Sequence, residues 1–265
     1  METVTRIALA LVIVLAAATL LAYAFQRSLI YYPAHARLET LAPLAEQEGL
    51  LAWRDAEQRF IGWRTRTGQG IPVLMLHGNA GHALHRSDTV ARLRDAGVVS
   101  PIHILEYPGY GARPGTPTEE NLVAAATDAI DLLERPIILL GESLGSGVAC
   151  QAAWRRPKLV AGLVLVTPYD SLVTVARQHY PFIPAGVLLK DRYQSTRALQ
   201  SFHGPLAVIV AEEDTIIPPD SGRRLFESYH GPRKLLLVPR AGHNEVLWKI
   251  GNAELLSAFE FAGGR

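Results

Sequence analysis

Polar and apolar positions divide this chain into two unequal parts. From Ile7 to Phe25 the residues IALALVIVLAAATLLAYAF carry no charge, and Arg6 and Arg27 flank them. At helical rise such a run just crosses a hydrocarbon layer of about 30 Å, so the pattern predicts an N-terminal transmembrane anchor within residues 1–26. A cleaved signal peptide is the alternative, with Ala22-Tyr23-Ala24 as the small-residue cleavage motif. The run is longer than a usual signal core, which favours the anchor. No polar face interrupts it, which argues against a buried helix of a globular core. Arg6 and the α-amine oppose Arg27 and Arg37 across the run, so charge bias sets its orientation only weakly. QRSLIYYPAHA (Gln26–Ala36) follows. It reads as an amphipathic collar with Tyr31 and Tyr32 suited to an interface, or equally as a plain loop.

Residues 27–265 keep a different rhythm. Between Leu50 and Arg66, alternating stretches such as RFIGWRT predict an antiparallel pair of strands. Short continuous apolar runs come next: IPVLMLH (Ile71–His77), PIHILEY (Pro101–Tyr107), PIILLGE (Pro136–Glu142), VAGLVLVTP (Val160–Pro168), GPLAVIVAEED (Gly204–Asp214) and KLLLVPR (Lys234–Arg240). Each reads as a buried strand. Helical patterns fall between them, around Ser87–Ala96, from an N-cap at Thr118 to about Glu134, after Ser143, near Ser221–Tyr229 and over Asn244–Phe261. Glu119 and Glu120 in the first turn after Thr118 suit a helix N-terminus. Buried strands alternating with helices predict an α/β fold, a parallel sheet covered on both faces. Tyr169–Gln200 holds scattered apolar and proline residues and is sized for a small lid.

Composition narrows the classes. A chain of 265 residues that is 49% hydrophobic suits one large domain with a full core, or two small domains, and a net charge of +1 offers no basic footprint for nucleic acid. Cys150 stands alone, so no internal disulfide forms. Its apolar surroundings predict a buried structural thiol rather than a nucleophile. Absent disulfides fit the cytosol without excluding the periplasm or an extracellular setting.

The chemistry starts at Ser143. Gly141-Glu142-Ser143-Leu144-Gly145 has the form G-x-S-x-G, with a predicted strand before it and a helix after it. Small residues two positions either side let the chain turn sharply, and the helix N-terminus leaves free N–H groups beside the hydroxyl. A serine nucleophile needs a base, and the base needs an orienting partner. In a parallel sheet both come from loops at the carboxyl ends of later strands. Asp214 ends LAVIVAEED, and His243 follows the last strand in VPRAGHNE, with Gly242 to free the loop. Ser, Asp, His is the chain order of an α/β-hydrolase triad. Glu212 and Glu213 adjoin Asp214, and Asp170 follows an earlier strand; these are the rival carboxylates. Oxyanion donors are expected at Leu144 and at Asn79, in LMLHGNAGH, where His77 braces the loop. His82 and His85 share a helix face near Asp88, which reads as a solvated face ahead of a sparse metal site. His35, His179, His203 and His230 read as surface or loop residues.

Six segments together, LHGNAGH, EYPGYGARPG, GESLGSGVA, TPYDSL, AEEDTIIP and AGHNE, resemble the α/β-hydrolase superfamily. They are most similar to its membrane-anchored serine hydrolases, the group with protein depalmitoylases and lysophospholipid lipases. QRSLIYYP after the apolar run is similar to that group too. The resemblance runs from about Arg27 to the end. It implies an eight-stranded, mostly parallel sheet flanked by helices, with Ser143 as nucleophile, His243 as base and acid, Asp214 as its orienter, and Asn79 and Leu144 as the oxyanion hole.

The expected reaction is hydrolysis of a carboxylic ester or thioester through an acyl-enzyme, with no metal or organic cofactor. A membrane location points to fatty-acyl or lipid-like substrates as the small-molecule partner. A secreted or periplasmic enzyme is the alternative if the N-terminus is cleaved. A serine peptidase of the same fold, or a non-catalytic binding protein on a hydrolase scaffold, are the competing functions.

Overall fold

The computed structural model describes residues 2–264, leaving out the side chains of residues 8, 11, 12, 15 and 16. In chain order its first half holds α1 (Glu2–Ile30), β1 (Tyr32–Pro33), α2 (Leu38–Gln47), β2 (Leu50–Arg54), β3 (Phe60–Thr65), β4 (Val73–Leu76), β5 (Ala80–Gly81), α3 (Ser87–Asp95), β6 (Ile102–Leu105) and α4 (Glu119–Leu133). The second half holds β7 (Ile137–Glu142), α5 (Leu144–Arg155), β8 (Val160–Val166), α6 (Leu172–His179), α7 (Ala185–Leu188), α8 (Ser195–Leu199), β9 (Leu206–Ala211), α9 (Pro219–Ser228), β10 (Arg233–Val238), α10 (Val246–Lys249) and α11 (Asn252–Ala262).

Eight strands form one sheet in the order β10-β9-β8-β7-β4-β6-β3-β2. β3 runs antiparallel to β2 and β6, and the other described pairings of this sheet are parallel. The alternation of buried strands and helices predicts such a parallel sheet, and this is the eight-stranded α/β-hydrolase fold that the family resemblance implies. The inner strands are continuously apolar because both faces are covered. Leu74 and Leu76 of β4 join a core under α4 and α5, while Val73 and Met75 join a second core under α3 and α11. β7 divides in the same way, Ile137 and Leu139 to one side, Ile138 and Leu140 to the other.

Most helices lie where the pattern puts them. The Thr118 hydroxyl accepts the Asn121 N–H at 3.0 Å and caps α4, as its position before two glutamates predicts. The last helix differs. Instead of one element over Asn244–Phe261 there are two, α10 and α11, broken where Ile250 and Gly251 take extended backbone.

The N-terminus differs more. α1 forms, but among the described residues no helix is long and apolar enough to cross a membrane. The single-pass anchor expected within residues 1–26 is therefore not supported. The helix also runs unbroken past residue 26, and its last turns pack on the domain. The Gln26 amide donates to the Leu188 carbonyl at 3.2 Å and accepts the Lys190 N–H at 2.7 Å. Arg27 pairs with buried Asp191 at 3.0 Å. The collar splits: Tyr31 is buried, its hydroxyl 3.0 Å from that of Tyr193, and Tyr32 is exposed. β1 and β5 then pair, which holds the end of α1 against the loop after β4.

Candidate active site

The turn from β7 into α5 is tight enough to force Ser143 to φ 52° and ψ −117°. A non-glycine residue pays roughly 1–3 kcal/mol for such backbone. The surroundings hold it there. Its N–H donates to the Val166 carbonyl at 2.9 Å, and its carbonyl accepts the Ser146 hydroxyl at 2.6 Å. The flanking glycines are needed for closeness. A Cβ on Gly145 would lie 2.0 Å from the Leu76 carbonyl oxygen, and one on Gly141 would lie 2.7 Å from the Gly145 carbonyl oxygen. The turn leaves the Ser143 side chain at the carboxyl ends of the parallel strands, with 8% of the residue exposed.

The loops after β9 and β10 arrive at the same place. His243 Nε2 stands 2.9 Å from Ser143 Oγ, and His243 Nδ1 stands 2.6 Å from Asp214 Oδ2. The other carboxylate oxygen of Asp214 accepts two backbone N–H groups, from Ile216 at 2.9 Å and Ile217 at 2.8 Å. Its rotamer is thus held independently of the imidazole. The rival carboxylates are occupied or solvated. Glu213 is exposed. Glu212 pairs with Arg223 at 3.1 Å, and Asp170 pairs with Arg224 at 2.9 Å. Gly242 has no left-handed backbone; in this loop that conformation falls on Arg240, at φ 56°.

The loop after β4 is braced by a motif whose role its residue types did not disclose. In EYPGYG, Tyr107 donates its hydroxyl to the His77 carbonyl at 3.0 Å, and Tyr110 donates to the Asn79 carbonyl at 2.7 Å. Glu106 accepts the Ala83 N–H at 2.9 Å. The Asn79 side-chain amide donates to the Ile30 carbonyl at 2.9 Å, and the Tyr32 N–H donates to the Asn79 carbonyl at 2.9 Å. Both ends of this small loop are therefore tied, one to the motif after β6 and one to the end of α1.

Below the loop lie two fully buried ionisable groups. His77 Nδ1 is 2.8 Å from the Gly78 carbonyl, so that nitrogen carries the proton and donates. Its Nε2 has no hydrogen-bond partner and stands 3.9 Å from Glu106 Oε1. Burial pushes His77 down to about 3 and Glu106 up to about 8. Both groups are accordingly neutral at pH 7, and His77 braces the loop. His82 corrects one expectation. It is buried rather than solvated, with its ring stacked on that of exposed His85 at 3.6 Å.

A largely apolar cavity of about 410 Å³ opens beside Ser143. Leu144, Asn79 and Tyr169 line it, with Leu172 and Val175 of α6 and Ile183 beyond it. Ala22, Tyr23, Gln26, Leu29 and Ile30 of α1 line it as well. The uncharged run within that helix suggests an anchor and gives no sign of this role. His179, read as a surface residue, also lines the cavity, with Nε2 2.8 Å from the Ile216 carbonyl. On the far side of His243 is a smaller, more polar cavity of about 190 Å³, where Arg86 pairs with Glu142 at 2.8 Å.

Known proteins resemble this chain in sequence and in fold. The sequence model of the Alpha/beta hydrolase family matches residues 73–204. An uncharacterized protein of Mycobacterium tuberculosis, Rv2307c, is 34% identical over 232 residues, which cover 83% of this chain and 81% of that one. The lysophosphatidylserine lipase ABHD12 of Danio rerio is 26% identical over 202 residues; the match covers 66% of this chain and 52% of the lipase. Among solved structures, the monoacylglycerol lipase of Paleococcus ferrophilus aligns with a TM-score of 0.54 at 21% identity, covering 74% of this chain and 98% of the lipase.

Proposed function

The chain belongs to the alpha/beta hydrolase family, and on that footing we propose that it is a serine hydrolase of carboxylic esters or thioesters with fatty-acyl chains. The observation that carries the reading is the contiguity of three side chains. Ser143 Oγ, the His243 ring and Asp214 Oδ2 form one line of hydrogen bonds, at 2.9 Å and 2.6 Å. Residues 27–265 are the catalytic unit in this reading, and 169–200 its lid.

His243 Nε2 takes the Ser143 proton as the oxygen attacks the substrate carbonyl. Asp214, acceptor-only when ionised, keeps the Nδ1 proton on its own side and leaves Nε2 basic. Charge that develops on the carbonyl oxygen meets backbone N–H groups. Leu144 opens α5, so its N–H lacks an intrahelical acceptor. Asn79 supplies the second donor from its backbone, because its side-chain amide is engaged with Ile30. The same imidazole then protonates the leaving alcohol or thiol, and water releases the acid by the reverse steps.

The substrate follows from the cavity. A largely apolar space of about 410 Å³ beside Ser143 suits an acyl chain, and the polar cavity beyond His243 suits a hydrophilic leaving group. The names of two relatives, a lysophosphatidylserine lipase and a monoacylglycerol lipase, favour the same class. Labelling with a fluorophosphonate tests the mechanism, since only an activated serine reacts. Wild-type protein is expected to label and Ser143→Ala is not. A panel of p-nitrophenyl esters from acetyl upward tests the substrate class; a steep fall in kcat/KM with chain length would refute it.

A further inference from the structure

Two segments far apart in sequence line the apolar cavity, Tyr23, Gln26 and Leu29 of α1 and Tyr180, Ile183 and Leu188 of the lid, and Tyr23, Leu29 and Tyr180 among them reach the surface. Polar contacts fasten them together: Gln26 to the backbone of Leu188 and Lys190, Arg27 to Asp191, and the buried pair of Tyr31 and Tyr193. Around this fastened rim the apolar side chains face outward. Phe182 is 88% exposed and Val187 78%, and Phe25, Leu29 and Tyr180 are exposed as well. A patch shared by two elements at the entrance of an apolar cavity departs from the scattered exposure of ordinary surfaces.

Charge near the rim leans basic: Arg6 and Arg27 are paired with Glu2 and Asp191, while Arg177 and Lys190 have no carboxylate partner among the described residues. Residues 3–38 and 171–190 contain no aspartate or glutamate, although the chain has 25 in all. The same stretches carry Arg6, Arg27, Arg37, Arg177 and Lys190. Lys190 extends over the Tyr23 ring, 4.3 Å from its centroid, which joins the cationic and apolar parts of the patch across the mouth. Aromatic and aliphatic side chains beside Arg177 and Lys190, cations that no described carboxylate pairs, complement an anionic lipid surface.

We propose that an anionic lipid surface docks on this face. Phe182 and Val187 of the lid insert beside α1, and an acyl chain passes from the lipid between α1 and the lid to Ser143. α1 lies at that surface as part of the docking face and as a wall of the cavity. What enters the cavity rests on the esterase reading; the docking itself does not.

Cys150 is fully buried, so a Phe182→Cys variant takes a polarity-sensitive fluorophore at the new thiol. The full chain labelled there is mixed with phosphatidylcholine vesicles with or without phosphatidylglycerol. A blue shift and a several-fold rise in emission are expected with the anionic vesicles, and a much smaller response with the neutral ones. The same fluorophore on Val99→Cys, just ahead of the amino end of β6, is expected to stay unchanged. No response at position 182, or an equal one at position 99, overturns the proposal; an equal response to neutral vesicles overturns its anionic part. These readouts do not involve hydrolysis, so they stand apart from loss of fluorophosphonate labelling at Ser143, which sinks the enzyme reading instead. In a second arm, the double variant Phe182→Asp, Val187→Asp is expected to lose about ten-fold in turnover of a long-chain ester carried in anionic vesicles, equivalent to about 1.4 kcal/mol. It keeps its rate on soluble p-nitrophenyl butyrate. Equal rates for wild type and variant on the vesicle substrate overturn the insertion of these two side chains, as does an equal loss on both substrates.

Discussion

The Nε2 of His243 lies 2.9 Å from the Oγ of Ser143, with 100 positions of chain between the two residues. Neither loop could hold that distance alone. β7 and β10 are separated in the sheet by β8 and β9, so the contact depends on the register of four parallel strands. Asp214, at the end of the strand adjoining β10, completes the line, with its second oxygen fastened to two backbone N–H groups.

That division of labour at Asp214 predicts the effect of Asp214→Asn. The asparagine carbonyl can keep the bonds to Ile216 and Ile217, so the fold survives. Its amide then donates where the carboxylate accepted, and the imidazole is driven to the wrong tautomer. On soluble esters kcat is expected to fall about 10³–10⁴-fold, with a thermal midpoint near that of wild type. A loss below ten-fold would show that Asp214 does not orient the base.

Gly145 tests packing at the turn. Even the methyl of Gly145→Ala would need room 2.0 Å from the Leu76 carbonyl oxygen, which β4 cannot yield without moving. The variant is expected to lose more than about 2 kcal/mol of stability, read by urea unfolding. Gly242→Ala meets nothing nearer than 3.7 Å and is expected to change stability little.

Stability should depend on pH in a way set by His77 and Glu106. His77 is lowered from 6.5 to about 3, so the unfolded chain binds more protons there and stability rises with pH up to about 6.5. His82 and His103, each lowered to about 4 by burial, act in the same direction. Glu106 is raised from 4.5 to about 8, so the folded chain binds more protons and stability falls as pH rises across that interval. Below 6.5 the histidines oppose this fall, and above 6.5 Glu106 acts without them. A maximum near pH 6.5 is expected, followed by a loss of up to about 2 kcal/mol by pH 8. Glu106→Gln is expected to remove that loss; thermal midpoints measured from pH 5 to 9 in both proteins provide the check.

If α1 bounds the acyl cavity, its small residues limit chain length. Ala22 lines the cavity, and Ala22→Trp fills space within it. It is expected to reduce kcat/KM for decanoyl and longer esters by about ten-fold, the scale of about 1.4 kcal/mol of lost apolar contact. Acetyl and butyryl esters should be spared. A uniform change along the series would assign the residue to folding instead.

Much of this molecule was legible from residue pattern. The continuous runs at Val73–Leu76 and Ile137–Glu142 marked strands covered on both faces, since a strand with one wet face alternates. The glycines at 141 and 145 marked a turn, and the aspartate and histidine closing later runs marked loops at one end of a parallel sheet. The carboxylate chosen at position 214 over its neighbours is the one that turns inward, whereas Glu212 and Glu213 are solvated. Other features were not legible for stated reasons. An uncharged run does not show which of its side chains line a cavity, because that depends on the segment packed against it. EYPGYG carried no visible task, because its tyrosines bond to carbonyls of a loop 30 residues away.

Residue pattern specifies the alternation of strands and helices, and with it the end of the sheet where Ser143, Asp214 and His243 meet. Local patterning is enough for that, because secondary structure follows from periodicity and turn chemistry among near neighbours. Tertiary structure alone decided that α1 closes the cavity and that Asn79 is held between Ile30 and Tyr110. It also decided that His77 and Glu106 are buried side by side and uncharged. Those are properties of contacts between distant segments, and burial and partnership exist only once the sheet has brought such segments together.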